Sequence, residues 1–364
     1  MIISSSIAFT VERLGLLMAP APEDPREAEG VLNPAGVAGP DGHYYLFPRC
    51  VGAGNYSLIG VARVLRDDQG RPIGVERLGM ALEPIEPYEI AGPGMGGCED
   101  PRVTYLACAD TYIMAYVALG QGGARVALAS SRDLRTWERH GLIDFAPEQG
   151  VDFNRFVNKD AMLLPGPVVG PDGTLALAFL HRPIYETWHE AEARYGPAPL
   201  PTGARDNLPS IWISYCPISD LGWLTDRTPP RFTQHHLLAR PESAWEAYRI
   251  GGGTVPVHTP AGWLTFYHGV CLNEGGGRCY QAGFLLLDRD DPRRILARSD
   301  VPLFGPETID ERIGIVNNVV FPTAVEERAG GLDVYYGMAD SRIGVAHLAP
   351  TSVVAADQAN EFAA

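Results

Sequence analysis

Long apolar segments and closely spaced cysteines are both missing from this sequence. No apolar run reaches about 18 residues, the length at which a bilayer-spanning helix becomes a candidate. The 6 cysteines show no Cys-x-x-Cys spacing, which argues against a zinc site and against a disulfide framework. The first 10 residues also lack the basic stretch that opens a signal peptide. We therefore expect reduced thiols in a cytoplasmic protein.

Positive charge is scarce as well. The chain has 29 Lys and Arg residues against 44 Asp and Glu residues, which gives a net charge of −15. A surface this negative repels phosphodiester backbones and anionic lipids, so we expect no nucleic-acid partner and no membrane partner. The His and Asp residues show no metal-ligand spacing, so the sequence predicts neither a metal nor another cofactor. A small neutral substrate fits this composition better.

Helical periodicity is the third feature in short supply. Only residues 188–195 and 353–364 have a pattern that is compatible with a helix. The chain contains 41 glycines and 31 prolines without any period. Such punctuation of an otherwise apolar chain is typical of many short strands joined by tight turns.

Five segments of the chain repeat one pattern, in which a turn is followed by an alternating apolar and aromatic run and then by a polar residue. Their β-branched and aromatic content and the bounding glycines predict a strand in each. Two of the strands begin with the same hairpin signal, Gly-Pro-Asp-Gly. The five segments are Gly42–Arg49, Thr111–Ala118, Gly173–Arg182, Gly262–Gly269 and Gly331–Asp340.

The spacing of these strands predicts the fold. Repeats of roughly 70 residues supply enough chain for one four-stranded antiparallel sheet each, which is a propeller blade. The sequence therefore predicts an all-β fold, a five-bladed β-propeller that forms a single domain over residues 1–364. A large β-sandwich is the alternative, but it does not require equivalent strands at such even spacing.

The polar ends of the repeated strands are candidate functional positions. In a propeller the innermost strands line a central channel, and their ends form a shared funnel. If the repeated strands are the innermost ones, their ends converge there from different blades. Taken singly, such a residue is more often a solvated or hydrogen-bonded structural group than a ligand-binding one. The residues at these ends are Arg49, His181, Arg182, His268 and Asp340.

The segment Gly96–Val103 contains two adjacent carboxylates, Glu99 and Asp100, before a proline. The proline favours an extended Asp100, and neighbouring residues on a strand point to opposite sides, so one carboxylate of the pair should face the channel. We expect Arg102 to pair with one carboxylate and leave the other free for proton transfer. A turn with a surface ion pair is the structural alternative.

A second polar cluster runs from Asn158 through Lys159 to Asp160, and His181-Arg182-Pro183 follows it. These residues precede or end apolar strands, so an ordinary turn explains them equally well. Lys159 and Asp160 could also form a local ion pair of little energetic value.

As an ordered set, these motifs resemble those of glycoside hydrolase family 130. The set extends from about Asn33 to Ala346 and follows the order that the family shows. The resemblance implies a five-bladed propeller, which agrees with the repeats. The motifs that carry it are Asn33-Pro34, Glu99-Asp-Pro-Arg102, Asn158-Lys-Asp160, His181-Arg-Pro183, the run from Gly262 to Val270 and the run from Tyr335 to Asp340.

The resemblance implies an enzyme that cleaves β-mannosidic or closely related bonds of a small oligosaccharide with inversion of configuration. Most characterised members are phosphorylases that release mannose 1-phosphate, and a minority are hydrolases. The family's catalytic acid corresponds to Asp100, which protonates the leaving oxygen through a sugar hydroxyl. In a phosphorylase, inorganic phosphate is the co-substrate and attacks the opposite face of the sugar, so no second catalytic carboxylate is needed.

The resemblance also implies a set of binding residues. Asn33, Arg49 and Asp340 match positions that contact the sugar, and Asn158, His181 and Tyr267 match positions near the phosphate or the attacking water. Basic groups hold a phosphate dianion by charge-assisted hydrogen bonds, and Arg182 and Lys159 add positive charge there. The remaining candidates for substrate binding are Glu99, Arg102, Asp160 and His268.

The sequence departs from the family's phosphorylases at two positions. Val157 stands where an arginine tends to precede the asparagine, and the strand before His181 lacks a basic residue. Arg155 could substitute, although two residues along a strand move a side chain by roughly 7 Å. Hydrolysis, which needs a general base, therefore stays open, with Glu186 as a candidate base or a solvated helix residue.

Residues 184–207 look like an insertion beside the funnel, in which Trp188 and Tyr195 could cover the leaving sugar. The first ~30 residues or this insertion could also close the funnel or mediate homo-oligomerisation. Two other functions remain open: a propeller that binds carbohydrate without cleaving it, and a different propeller glycosidase with three separated carboxylates. The presence of Asp100 argues against the first, and no convincing carboxylate set supports the second.

Overall fold

The computed structural model describes residues 7–148, 150–184, 208–226, 228–273 and 275–351. Both predicted helices fall outside the described residues, as does most of the predicted insertion, with Glu186, Trp188 and Tyr195. No helix in the described ranges is long and apolar enough to span a membrane.

The described chain consists almost entirely of strands. Two single-turn α-helices, Trp223–Asp226 and Ile309–Arg312, and short 3₁₀ turns connect them. The strands are β1 (Ala8–Met18), β2 (Gly30–Ala38), β3 (Tyr44–Gly52), β4 (Tyr56–Arg66), β5 (Pro72–Leu82), β6 (Ile90–Gly92), β7 (Met95–Leu106), β8 (Thr111–Gly120), β9 (Gly123–Ser131), β10 (Glu138–Leu142), β11 (Asp144–Phe145), β12 (Val157–Leu163), β13 (Val168–Val169), β14 (Leu175–Ile184), β15 (Ile211–Pro217), β16 (Arg231–Ala239), β17 (Arg249–Gly252), β18 (Val257–Thr259), β19 (Gly262–Leu272), β20 (Arg278–Leu287), β21 (Ile295–Arg298), β22 (Val320–Arg328), β23 (Gly331–Met338) and β24 (Arg342–Thr351).

The main strands pair into antiparallel units of four, and we assign each unit to one blade. In chain order the units are β2-β3-β4-β5, β7-β8-β9-β10, β12-β14-β15-β16, β17-β19-β20-β21 and β22-β23-β24-β1. A single parallel pair, Ser57 with Gly97, joins the first two units. The all-β prediction is confirmed, and the pairing has the pattern expected of a propeller.

Apolar side chains fill the spaces between neighbouring units. Separate buried clusters lie between the first and second units, the second and third, the third and fourth, the fourth and fifth, and the fifth and first. Each unit therefore packs against two neighbours, and the units close into a ring.

The first strand of each unit faces the axis of this ring. Strands β2, β7 and β12 contact one another in series, β22 contacts β2, and β12 contacts β17. The five repeated aromatic strands of the sequence are β3, β8, β14, β19 and β23, the second strands of their units. The expectation that they are innermost is wrong, because the true innermost strands carry glycines, prolines and polar residues that interrupt the alternation.

The N-terminal segment completes the last unit. Strand β1 pairs with β24 from Ala8↔Thr351 to Met18↔Ile343, so the fifth sheet contains both ends of the described chain. Residues 8–18 are thus the outermost strand of the fifth unit. They do not close the funnel, which was one of the roles considered for the N-terminal segment.

Both predicted Gly-Pro-Asp-Gly turns are present. Gly42 and Gly173 have φ values of 79° and 82°, which lie in the left-handed region that favours glycine. In each turn the first glycine accepts a hydrogen bond from the last one, Gly42 to Gly39 and Gly173 to Gly170. Strand β3 begins two residues after Gly42, and strand β14 begins two residues after Gly173.

In three units, a buried glutamate in the turn before the innermost strand links the second strand to the outermost strand. In the second unit, Glu89 accepts hydrogen bonds from the Tyr116 hydroxyl at 2.7 Å and from Arg139 Nε at 2.8 Å. Its other oxygen accepts from the backbone N–H groups of Ile85 and Glu86. The fourth and fifth units repeat this arrangement with Glu246, Tyr267 and Arg298 and with Glu311, Tyr336 and Arg13.

We expect Glu89→Ala to destabilise the fold strongly. The substitution leaves Arg139, Tyr116 and two backbone N–H groups without their acceptor, and loss of one partner of a buried ion pair costs about 3 kcal/mol or more. Urea unfolding monitored by tryptophan fluorescence measures this change. The control is Glu76→Ala, which breaks an exposed pair with Arg63 and should cost less than about 1 kcal/mol. Equal losses in the two variants would contradict the anchoring role.

Candidate active site

Three innermost strands carry a β-bulge with a polar residue in the left-handed region. The residues are Asn33 in β2, Asp100 in β7 and Asp160 in β12, with φ values of 43°, 45° and 52°. The strand register shifts at each of them. Asn and Asp tolerate this conformation better than most residues, and a bulge redirects the side chains beside it. The expectation of an extended Asp100 is therefore wrong, despite the proline that follows.

The bulge brings two neighbouring carboxylates to one guanidinium. Arg49 Nη2 lies 2.8 Å from Glu99 Oε1, and Arg49 Nη1 lies 3.3 Å from Asp100 Oδ1. In a regular strand these carboxylates would point to opposite sides, as the sequence predicts. The bulge removes that alternation, so both carboxylates face Arg49.

Residues from three units hold this cluster together. Asn33 Nδ2 donates to Asp100 Oδ1 at 2.9 Å, and Lys159 Nζ donates to Glu99 Oε2 at 3.1 Å. Lys159 thus pairs with the adjacent second unit and not with its neighbour Asp160, which corrects the local ion pair suggested by the sequence.

Two carboxyl groups of the channel have opposite pKa shifts. Burial raises the pKa of Asp100, but the charges of Arg49 and Lys159 and the Asn33 hydrogen bond outweigh it and lower the pKa to about 2. Asp340 lies in the turn after β23 with a φ of 49°. Burial and the negative charge of Asp100 raise the pKa of Asp340 to about 6. In the free protein at neutral pH, Asp100 is therefore ionised.

A second group of charges surrounds Asp160. Arg182 donates to Asp160 Oδ2 from Nε at 2.8 Å and lies 2.6 Å from the same oxygen through Nη2. His268 Nε2 lies 3.8 Å from that oxygen. Burial, against the opposing effect of Asp160, lowers the pKa of His268 to about 3, so the ring is neutral.

Arg102 does not pair with Glu99 or Asp100 side chains, which corrects the sequence-based expectation. It donates instead to backbone carbonyls, to Gly253 from Nε and to Pro101 at 2.9 Å from Nη1. Its charge therefore stays inside the channel without a carboxylate in direct contact.

Several buried donors in this group have no hydrogen-bond partner within the described ranges. They are Arg102 Nη2, Arg182 Nη1 and one ring nitrogen of the neutral His268, whose other ring nitrogen is an acceptor that is likewise unpaired. The three residues are 1%, 5% and 0% exposed, so solvent does not replace the missing partner. A buried N–H without an acceptor is costly, and such groups commonly mark the place of a ligand.

Arg49, Arg182 and His268 occupy equivalent register positions. They pair with Leu32, Lys159 and Gly251 on the innermost strands of the first, third and fourth units. The structure thus brings together Arg49, Arg182 and His268, three of the strand-end residues predicted from the sequence. Asp340, a fourth, lies beside Arg49 and Asp100.

His181 lies in the interior of the third unit. It is fully buried against Phe145 and Phe153. Asn158 Nδ2 lies 3.0 Å from His181 Nδ1, and Ser214 Oγ lies 2.9 Å from Nε2. Both ring nitrogens are therefore already used, and this position does not support direct phosphate contact.

Tyr267 also has a structural role, because its hydroxyl holds together parts of the fourth unit. Its hydroxyl donates to Glu246 at 2.9 Å, as that of Tyr116 donates to Glu89, and it also accepts from Arg298 Nε at 3.1 Å. The structure does not bring Tyr267 to the open channel. Its predicted role near the phosphate is not supported by this placement.

The sequence analysis overlooked the glycines at 251–253. A Cβ atom at Gly251 would collide with the Asp160 carboxylate and the His268 ring, and the Gly253 carbonyl accepts from Arg102. Three consecutive glycines are a visible signal of close backbone approach. Val157, by contrast, pairs with Ile184 at the start of β12 and offers no charge.

Asp340→Asn should stabilise the protein at high pH. A carboxyl group whose pKa is raised on folding lowers stability above that pKa, and the effect disappears as the pH falls below its unfolded value. We expect the free energy of unfolding to rise by about 3 kcal/mol at pH 8 and to change little at pH 4. Urea unfolding at both pH values tests this, with Asp290→Asn on the exposed turn before β21 as the control. A gain that is the same at both pH values would contradict it.

Comparisons with known proteins agree with this architecture. The model of glycoside hydrolase family 130, described as β-1,4-mannooligosaccharide phosphorylase, matches residues 203–356. A 1,2-β-oligomannan phosphorylase from Thermoanaerobacter sp. (strain X514) is 29% identical over 345 residues, 91% of this chain and 94% of that protein. A β-1,2-mannobiose phosphorylase from the same strain is 32% identical over 255 residues, 69% of this chain and 66% of that protein.

A solved structure shares the fold. The β-1,2-mannobiose phosphorylase of Listeria innocua superposes with a TM-score of 0.70 at 23% identity, covering 93% of this chain and 97% of that one. The propeller prediction is confirmed by this likeness together with the strand pairing. The chain is an enzyme of the glycosidase and glycoside phosphorylase type, and it belongs to glycoside hydrolase family 130.

Proposed function

We propose that this enzyme cleaves a β-mannosidic bond by phosphorolysis, with inversion, and releases mannose 1-phosphate. The relatives that match most of the chain are named for β-1,2-linked mannosides, so that linkage is the first to test. The observation that carries the proposal is the set of unsatisfied donors on Arg102, Arg182 and His268. These donors lie in the same channel as Asp100.

A phosphate ion would satisfy these donors. Its oxygens accept several hydrogen bonds at once, and those from guanidinium groups are charge-assisted and short. Asp160 holds the Arg182 guanidinium through Nε and Nη2, which leaves Nη1 for the ligand. His268 is neutral and can donate one hydrogen bond to a phosphate oxygen.

Asp100 and its neighbours would hold the mannosyl unit. Asn33 Oδ1 is buried without a described partner and can accept from a sugar hydroxyl. Arg49, with 11% of its side chain exposed, is fixed by two carboxylates and can donate to the sugar with little loss of entropy. These groups come from the first and second units, opposite to Arg182 and His268 in the third and fourth.

In the proposed reaction, a phosphate oxygen forms a bond to the anomeric carbon while the bond between that carbon and the leaving oxygen breaks. The leaving oxygen gains one proton and hydrogen phosphate loses one, so the number of protons is conserved. Asp100 is ionised in the free protein, so it must gain a proton before it can act as an acid. A bound phosphate dianion adds negative charge to the channel and raises the pKa of Asp100 toward the range in which it transfers protons.

Hydrolysis is the second candidate, because Val157 stands where the family's phosphorylases tend to carry an arginine. A solved structure with a TM-score of 0.68 and 22% identity is described as showing that the family contains hydrolases of β-1,2-mannosidic linkages. Mass spectrometry of products formed with and without inorganic phosphate separates the two reactions. Mannose 1-phosphate supports phosphorolysis, and free mannose that forms regardless of phosphate contradicts it.

Arg182→Lys should weaken phosphate binding specifically. Lysine keeps the charge but cannot reach Asp160 and phosphate together through a planar fork. We expect the KM for phosphate to rise about tenfold, which corresponds to one charge-assisted hydrogen bond, while the KM for the mannoside stays nearly constant. Initial rates at varied phosphate and mannoside concentrations measure both constants. The control is Arg293→Lys on the exposed turn before β21, and a larger effect on the mannoside KM would argue against a phosphate role.

Asp100→Asn should abolish turnover while sugar binding persists. Asparagine keeps the hydrogen bonds to Asn33 or Arg49 in part, but it cannot transfer a proton at this position. Isothermal titration calorimetry with the mannobioside tests binding, and product analysis tests turnover. Activity that is close to that of the unmodified enzyme would refute the assignment of Asp100.

A further inference from the structure

The third unit carries two histidines where three other units carry a tyrosine and an arginine. In the second, fourth and fifth units, a tyrosine of the second strand and an arginine of the outermost strand share a buried glutamate. In the third unit, His181 stands on the second strand, β14, and His235 stands on the outermost strand, β16. Ser214 of β15 lies between them and contacts both rings. The reaction above uses none of these three residues.

Five residues of the third unit form one continuous chain of hydrogen bonds. His235 Nε2 lies 2.8 Å from the carbonyl oxygen of Ala146, and His235 Nδ1 lies 2.8 Å from Ser214 Oγ. Ser214 Oγ lies 2.9 Å from His181 Nε2, and His181 Nδ1 lies 3.0 Å from Asn158 Nδ2. Asn158, His181 and Ser214 are almost completely buried, so solvent does not compete for these contacts. The chain therefore connects the outermost strand to the innermost one, β12.

The carbonyl group at one end fixes the position of every proton in this chain. A carbonyl oxygen only accepts, so His235 donates to Ala146 from Nε2. Burial lowers the pKa of both His181 and His235, so both rings are neutral at pH 7. Ser214 therefore donates to the bare Nδ1 of His235 and accepts from Nε2 of His181. Asn158 in turn donates to the bare Nδ1 of His181, which holds its amide in one orientation.

The chain ends where the backbone pairing of β12 is interrupted. Asn158 lies opposite Pro183, which has no N–H group, so this pair exchanges at most one backbone hydrogen bond. The register then shifts between Lys159 and Met162, and Asp160 lies in the left-handed region with a φ of 52°. Such a conformation persists only where the surrounding contacts hold it. The side chain of Asn158 supplies one of these contacts two residues before Asp160.

Asp160 links this strand to the proposed phosphate site. Its Oδ2 atom lies 2.8 Å from Arg182 Nε and 2.6 Å from Arg182 Nη2, which directs Nη1 of this arginine to the ligand. The aspartate side chain is short, so its oxygens move with the backbone of β12. Lys159 has a long, flexible side chain that can keep its contact with Glu99 when the backbone shifts slightly. A displacement of β12 therefore disturbs Arg182 more than the groups around Asp100.

We propose that Ser214 and His235 are positioning residues for phosphate binding, which hold Asp160 in place through His181 and Asn158. This inference rests on the proposed function, in which Arg182 binds the phosphate. It also gives His181 a role that agrees with its burial, since this ring acts on the site through β12 and does not touch the ligand.

The test interrupts the chain at two places. Ser214→Ala removes the bridging hydroxyl, and His235→Gln can still donate to Ala146 but offers no acceptor to Ser214. We expect each variant to raise the KM for phosphate about fivefold, on the scale of one hydrogen bond, and to change kcat and the KM for the mannoside less than about twofold. The double variant should be about as impaired as either single one, because both substitutions interrupt the same chain. Initial rates at varied phosphate and mannoside concentrations measure these constants.

Tyr336→Phe is the matched control. It removes a buried hydroxyl from the anchor of the fifth unit, which carries none of the residues Arg102, Arg182 and His268. An equal rise of its phosphate KM would show that any loosening of the ring has this effect and would overturn the proposal. An unchanged phosphate KM in Ser214→Ala would also overturn it. Effects that multiply in the double variant would show that Ser214 and His235 do not act as one chain.

Hydrogen exchange of the backbone amides, followed by mass spectrometry, separates this inference from the proposed function. If the unmodified enzyme forms free mannose and no mannose 1-phosphate, the proposed function fails, and phosphate binding fails with it. Whether the chain holds β12 is decided separately, because Ser214→Ala should then speed exchange in residues 157–163 and Tyr336→Phe should not. Unchanged exchange in these residues would refute the positioning role, even if the enzyme is a phosphorylase.

Discussion

The left-handed bulges of the innermost strands are the constraint on which the site depends. At Asp100 the bulge aligns two successive carboxylates with Arg49, which a regular strand would separate. The same device at Asn33 supplies the amide that holds Asp100, and at Asp160 it supplies the acceptor for Arg182. Non-glycine residues in this conformation cost free energy, so the surrounding sheets must over-determine them. The buried glutamate anchors and the closed ring of apolar interfaces provide that rigidity.

The channel is rich in positive side chains, in contrast to the negative net charge of the whole protein. The protein is strongly acidic, yet Arg49, Arg102, Lys159 and Arg182 converge on its axis. The charges of Arg49, Lys159 and Arg102 hold Asp100 ionised, whereas Asp340 takes up a proton near pH 6 because burial and its negative neighbour act together. A channel with this balance can accept a dianion, since the added charge is met by groups that are already fixed and partly unsatisfied. The charge of Arg102 also helps to lower the pKa of Asp100, and its unpaired donor, like that of Arg182, is available to such a dianion.

In two of the motifs, neighbouring residues have different roles: one is structural and the next faces the channel. His181 and Tyr267 stand one residue before Arg182 and His268, and the alternation of the strand turns them into the interior of their units. There Tyr267 repeats the anchoring hydrogen bonds of Tyr116 and Tyr336, and His181 takes the corresponding place in the third unit. Their neighbours point into the channel. A resemblance between motifs identifies the strand end, but the face of the strand decides which residue can touch a ligand.

The sequence by itself determined the class of fold, the five aromatic strands, the two glycine turns and the polar strand ends that gather at one site. These depend on local preference and on a repeat that is visible in one dimension. Only the tertiary structure decided that the aromatic strands are second in each unit, that Asp100 is not extended, and that Lys159 pairs with Glu99 and Arg102 with backbone carbonyls. The physical reason is that a bulge and a closed ring bring together groups from different repeats. The local sequence pattern does not reveal which groups will pair or which way a side chain will point. The unsatisfied donors on Arg102, Arg182 and His268 likewise exist only because the fold buries them together.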